Sequence, residues 1–128
     1  MTLLLDTHLL LWIISQSTRL SQPARELISE PNNELVFSTA SIWEVAVKYS
    51  RGRDDFKADP RLLRRGLLDN LYRELSITGE HAVAVASLPP LHRDPFDRML
   101  VAQSLVEGIM LLTTDPLVAQ YPAPIRRV

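Results

Sequence analysis

At 128 residues the chain is the size of one domain and long enough to bury a two- or three-layer core. Hydrophobic residues make up 46% and charged residues 23%, a balance that argues against disorder, and a net charge of −1 excludes a global basic field for nucleic acid. With no cysteines, disulfides, thiolate zinc sites and thiol nucleophiles are excluded as well.

The first residues carry neither a basic n-region nor a small-residue cleavage site, so they do not read as a signal peptide. No apolar run approaches the ~18 residues of a membrane span. The expectation is a soluble, cytoplasmic protein folded as a single domain over residues 1–128.

In chain order, Leu3–Leu5 predicts a short buried strand ending on Asp6, and Thr7–Ile14 a helix capped by Asp6 or Thr7. Ser21 predicts the cap of a second helix, with Pro23 in its first turn and an end near Ser29. Pro31, Asn32 and Asn33 make a turn, and Leu35–Phe37 is the second strand. Ser38 and Thr39 cap a third helix with Glu44 in its second turn and Ile42, Val45, Ala46 and Tyr49 along one side. Arg51 to Asp59 is charged and polar, a surface loop. Asp59-Pro60 opens a helix to about Asn70, and Leu75–Ile77 is the third strand. Thr78 caps a short helix through Ser87, ended by Pro89 and Pro90. Asp94 caps the next helix, with Pro95 first and Asp97 three residues on, close to a capping box with Asp in place of Glu or Gln. That helix runs to Glu107 and stops at Gly108. Met110–Leu112 is the fourth strand, a helical turn follows Asp115, and Ile125–Val128 can add an edge strand. The alternation predicts a three-layer α/β/α sandwich around a mainly parallel sheet of four to five short strands.

Asp6 and Asp115 each follow a predicted parallel strand, so both fall on the carboxyl edge, where open α/β sheets bind ligands. Glu44 can lean back to that edge, and Asp97 sits at the positive end of its helix. Carboxylates converging on one point repel, so they protonate or bind a cation. Oxygen donors alone favour hard Mg²⁺ or Mn²⁺, which neutralises a phosphate oxygen and activates water for attack on phosphorus. Each acid also has a simpler reading. Asp6 and Asp94 can be plain N-caps, Glu44 a solvated helix acid, Asp97 part of the box, and Asp115 a turn residue before Pro116. Lys48, one turn after Glu44, can form an i,i+4 pair or stand near the site. His8 reads as a partner of a carboxylate or a surface residue, and His81 and His92 have no metal-binding spacing. Trp12 and Trp43 read as core or interface. A phosphatase of the aspartyl-phosphate kind would want an Asp where His8 stands.

Four segments carry a resemblance: LLLDTHLLLW, STASIWEVAVK from Ser38 to Lys48, DPFDRMLVAQSLVEG from Asp94 to Gly108, and LLTTDP from Leu111 to Pro116. In this order and at these spacings the chain resembles the PIN-domain nucleases, and within them the VapC-type toxins of toxin–antitoxin pairs. The resemblance implies a Mg²⁺- or Mn²⁺-dependent ribonuclease whose catalytic and metal-binding acids are Asp6, Glu44, Asp97 and Asp115. The small-residue segment LVAQS after Asp97 matches the pattern that follows the family's third acid, leaving Asp94 as cap and helper. Thr7, Ser41, Thr113, Lys48 and Arg98 are the further supporting residues expected. One departure is Val118, where the family often carries an aromatic, with Tyr121 following later. The implied partners are RNA, a VapB-type antitoxin that can push an Arg into the acidic pocket, and a second copy of the chain. Lys48, Arg51, Arg53 and Arg98 are the nearest candidates for a basic rim that holds RNA. The alternative is a non-catalytic interaction module of the same fold.

Overall fold

The computed structural model describes residues 1–52 and 57–128. Five strands form one sheet in the order β3-β2-β1-β4-β5, and every pairing is parallel. They are β1 (Thr2–Leu5), β2 (Glu34–Ser38), β3 (Arg73–Leu75), β4 (Met110–Thr113) and β5 (Ile125–Arg127). Helices α1 (Thr7–Ile14) and α2 (Gln22–Ser29) join β1 to β2; α3 (Thr39–Ser50) and α4 (Pro60–Asp69) join β2 to β3. Helices α5 (Gly79–Ala84) and α6 (Pro95–Glu107) join β3 to β4. Short 3-10 turns lie at Val85–Ser87 and Val118–Gln120.

A parallel sheet is covered on both faces, so its central strands carry continuous apolar runs. Leu3, Leu4 and Leu5 are all fully buried, and their alternation divides them between two cores. Leu3, Leu5, Phe37 and Leu112 face Leu9 and Leu10 of α1, Ala24 of α2, Val45 of α3, and Leu63 and Leu67 of α4. Leu4, Val36 and Leu111 face Leu100, Val101 and Ala102 of α6, with Val118 and Tyr121. The result is the three-layer α/β/α sandwich expected from the sequence.

Local rules set most element ends. The Asp6, Ser21, Ser38, Asp59 and Asp94 side chains each accept a backbone N–H at a helix start. Gly108 ends α6 with φ 66°, a left-handed conformation that glycine adopts at no steric cost. Three expectations need correction. The third strand lies two residues earlier than Leu75–Ile77, at Arg73–Leu75. It is an edge strand whose polar residues are paired, Arg73 with Glu34 and Glu74 with Arg64, while Ile77 packs into the second core from the following loop. On α3 the buried face is Ala40, Ser41, Glu44 and Val45, whereas Tyr49 is exposed and Ala46 half-buried, because that face meets the carboxyl edge of the sheet as well as the core. The capping box expected at Asp94 is half formed. Its side chain accepts from Phe96 and Asp97, but its own N–H donates to the His92 ring and not to Asp97. A complete box closes instead on α5, between Thr78 and His81.

Candidate active site

Strands β1 and β4 are neighbours, yet the chain leaves them in opposite directions, β1 toward β2 and β4 toward β5. Their carboxyl ends therefore form the topological switch point, the place at which doubly wound sheets bind ligands. Asp6 follows β1 directly and Asp115 follows β4 by two residues. Glu44 comes to the same place from α3 and Asp97 from the first turn of α6.

One half of this site is built into the core. Asp6 is 5% exposed and Glu44 3%. Asp6 Oδ1 accepts the Leu9 N–H at 3.0 Å, and Oδ2 accepts the Thr113 hydroxyl at 2.7 Å and the Thr114 N–H at 3.4 Å. Thr113 Oγ1 accepts the Asp115 N–H at 3.0 Å, so one hydroxyl ties β4 to the acids after both strands. The Thr7 hydroxyl lies 2.8 Å from Glu44 Oε1 and 3.0 Å from Ser41 Oγ. Lys48 Nζ bonds Glu44 Oε2 at 2.6 Å, the i,i+4 pair the spacing allowed. Burial pushes the Asp6 carboxyl above its usual range, against the hydrogen bonds from Leu9, Thr113 and Thr114 and the proximity of His8.

The other half is more open. Burial first, then the charges of Asp94 and Glu44, push the Asp97 carboxyl up to about 7; the nearby His92 opposes this and Asp6 adds to it. Asp97 thus feels Asp94, Glu44 and Asp6 together, which places these acids in one electrostatic neighbourhood. Asp115 is less buried. Its burial would raise it, but bonds from the Leu117 N–H, the His92 ring and the Val118 N–H hold it below the usual carboxylate range.

His92 is the residue that sequence reasoning passed over. Its Nε2 lies 3.1 Å from Asp115 Oδ2 and 3.3 Å from Asp97 Oδ2. His92, Asp97 and Asp115 offer atoms all within 4.8 Å of one another. The dismissal rested on spacing, but His92 meets Asp115 across 23 positions of sequence, and local spacing carries no trace of that contact. Its place two residues before an N-cap Asp was the one available signal. His81 is buried, accepts the Thr78 N–H and bonds Glu107, away from this group. His8 is exposed and its ring packs beside Trp12.

The expected basic rim is only partly there. Arg98 points away from a phosphate-binding role, its guanidinium donating to the carbonyls of Pro89, Val85 and Leu88 and to the Tyr121 hydroxyl. It fastens the chain between α5 and α6 to α6. Arg51 is exposed at the end of α3, and Arg53 lies outside the described residues. Trp43 is 55% exposed and meets Phe96 edge to face at 4.8 Å, so it is not a core residue. Trp12 and Ile13 are half-buried against the first core, and Ile14 is 39% exposed.

An all-parallel α/β/α sandwich with clustered acids at the switch point beside its central strand is the scaffold of a carboxylate-centred α/β protein. A family model for the PIN domain matches residues 3–123. Over 115 residues the chain is 32% identical to "Ribonuclease VapC22" of Mycobacterium tuberculosis (strain ATCC 25618 / H37Rv), covering 89% of this chain and 87% of that protein. The chain belongs to the PIN-domain family, in its VapC group. The fold is shared with VapBC2 from Rickettsia felis, crystallised bound to a DNA fragment from their promoter, at TM-score 0.75 and 12% identity over 100% of this chain and 99% of that one. It is shared as well with VapBC-5 from Mycobacterium tuberculosis, at TM-score 0.63 and 16% identity over 99% of this chain and 97% of that one.

Proposed function

We propose that this chain is a divalent-metal-dependent endoribonuclease and the toxin of a toxin–antitoxin pair. What supports the reading is that Asp6, Glu44, Asp97 and Asp115 stand on four separate elements around the ends of β1 and β4, with Asp97 raised to about 7 by burial and by the charges of Asp94, Glu44 and Asp6. A scaffold has no physical reason to hold repelling acids together, whereas a cation site does. The donor set fits a hard cation: carboxylate oxygens, no thiolate, and hydroxyls that orient the acids from behind. Asp6, Glu44, Asp97 and Asp115 would hold Mg²⁺ or Mn²⁺. The bound metal supplies Lewis-acid neutralisation of a phosphate oxygen and a water of lowered pKa.

The chain's own residues have separable tasks. Thr113 and the Leu9 N–H fix the two oxygens of Asp6, and Thr7 and Lys48 fix those of Glu44. The N–H groups at the start of α6 are occupied by Asp94, so the Asp97 carboxylate is not spent on the cap. The kinship with a ribonuclease VapC supports RNA as substrate, and structural neighbours that are VapBC complexes support a VapB-type antitoxin as partner. The exposed apolar side chains of Trp43 and Ile14 support a homodimer, read by light scattering at micromolar concentration. Among the described residues no helix is long and apolar enough to cross a membrane, in keeping with a cytoplasmic toxin.

The deciding experiment incubates the protein with total cellular RNA, with Mg²⁺ or Mn²⁺ and with chelator, and maps the cut sites. Discrete cuts that vanish with chelator are expected. Absence of metal-dependent cutting together with no rise in melting temperature on adding Mn²⁺ would overturn the reading in favour of a non-catalytic module.

A further inference from the structure

Three groups converge at the open half of the site, two carboxylates and the imidazole of His92. Such a trio reads at first as two acids and a histidine ligating one metal. The other face of the ring decides against that. A histidine that ligates through Nε2 carries its hydrogen on Nδ1 and donates it to an acceptor. Here His92 Nδ1 faces a donor, the Asp94 N–H at 3.1 Å. In the neutral ring the hydrogen is therefore on Nε2, where it bonds Asp115 Oδ2 at 3.1 Å, with Asp97 Oδ2 beside it at 3.3 Å.

We propose that His92 is a positioning residue of the cation site and not one of its ligands: its Nε2–H bonds Asp115 and holds it beside Asp97, with the tautomer set by the backbone of Asp94. This rests on the reading of the carboxylates as a metal site.

His92 is also held through its backbone. Its own backbone N–H donates to the Tyr121 hydroxyl at 2.9 Å, and Tyr121 is 4% exposed. That hydroxyl also accepts from Arg98 Nη1 at 3.1 Å, and Arg98 is clamped by three carbonyls. His92 thereby links the segment that starts α6, which carries Asp97, to the segment after β4, which carries Asp115. The two acids lie 18 positions apart in sequence, on elements joined here through one imidazole. Asp94 serves twice. Its carboxylate starts the helix that carries Asp97, and its N–H aims the ring that bonds Asp115 next to Asp97. A donor in this place keeps the two carboxyl groups together before a cation arrives, and leaves their remaining lone pairs for the metal.

The test reads the tautomer and the metal affinity separately. Two-bond ¹H–¹⁵N correlations of the ¹⁵N-His protein report which ring nitrogen carries the hydrogen, without metal and with saturating Mg²⁺. An Nε2–H pattern in both is expected. An Nδ1–H pattern with a metal-shifted Nε2 in the Mg²⁺ form would overturn the proposal and make His92 a ligand. Calorimetry then gives the Mn²⁺ Kd of wild type, His92→Ala and His92→Gln, each checked by circular dichroism. Loss of a group that orients ligands weakens metal binding about 10- to 100-fold, so His92→Ala should fall in that range. Gln can place its amide N–H where Nε2–H stood, so it should recover most of the affinity, while a pure ligand would not be replaced this way. Equal Kd for wild type and His92→Ala would overturn the proposal and leave the metal site standing. No Mn²⁺ binding by wild type would instead sink the metal-site reading, with the metal-free tautomer still deciding what His92 does.

Discussion

The two halves of the carboxylate cleft are held by different means. Asp6 and Glu44 are buried, and their oxygens are bonded by the Leu9 N–H of α1, Thr113 of β4 and Thr7 of α1, all in the core, and by the part-exposed Lys48 of α3. Asp97 and Asp115 are more exposed and are held by a helix cap, a loop histidine and a short turn. The first half can hardly move without the sheet moving. The second depends on contacts between segments far apart in the chain. This division separates what a substitution does to chemistry from what it does to the fold.

The largest effect should come from Asp6→Asn, which breaks the buried half. Asn still accepts the Leu9 N–H, so the circular dichroism spectrum should be unchanged. Its amide removes a charge from the cation site and turns a donor toward the Thr113 hydroxyl. RNA cleavage should fall by more than the ~100-fold that loss of a merely supporting group costs. Retained activity would show that Asp6 is only a cap.

The open half is sharpened by comparing neighbours on one helical turn. Asp94→Asn should be mild, because Asn and Asp cap helices about equally well. Asp97→Asn should cost far more activity in the same cleavage assay. The reverse ranking would move the third acid to Asp94.

A pH titration distinguishes the two acids within the open half. Asp97 holds its proton to about 7 when folded, against 3.8 for the ordinary side chain. The unfolded chain therefore releases this proton first, and without metal the contribution of Asp97 to stability falls as pH rises from about 4 to about 7. Asp115 is shifted the other way, so its contribution is present above its ordinary range and is lost as pH falls through its lowered folded value. Metal-free melting temperatures followed from pH 5 to pH 8 should fall less steeply for Asp97→Asn than for wild type. Mn²⁺ affinity of wild type should rise with pH up to about 7, as Asp97 gives up its proton.

The smallest effect concerns the rim. Arg51→Glu should lower RNA affinity by no more than about tenfold, since one phosphate contact carries a small share of the salt-dependent binding. It should leave Mn²⁺ binding untouched. Filter binding at two salt concentrations reads this, and an unchanged affinity would place the RNA on another face. Arg98→Met, in contrast, should act on stability, by about 1–3 kcal/mol, because it strips a donor from partly buried carbonyls. Urea unfolding would measure that loss.

What the sequence determined by itself is what acts within a few residues. Three leucines in a row read as a strand buried on both faces, because a parallel sheet leaves neither face wet. The caps at Asp6, Ser21, Asp59 and Asp94 and the stop at Gly108 were legible, because each satisfies backbone groups on its own helix end. That the strands run parallel followed from their alternation with helices, and with it the edge on which Asp6 and Asp115 fall, while the strand order came from the fold. Tertiary structure decided the rest. The register of β3 was set by its partner β2 and by ion pairs on an edge, so its apolar content misled. Arg98 became a clamp because the carbonyls of Val85, Leu88 and Pro89 and the Tyr121 hydroxyl meet around its guanidinium, which no pattern around Arg98 records. His92 reached Asp115 because two loops meet at one switch point, and a contact of that range is made by packing, not by periodicity.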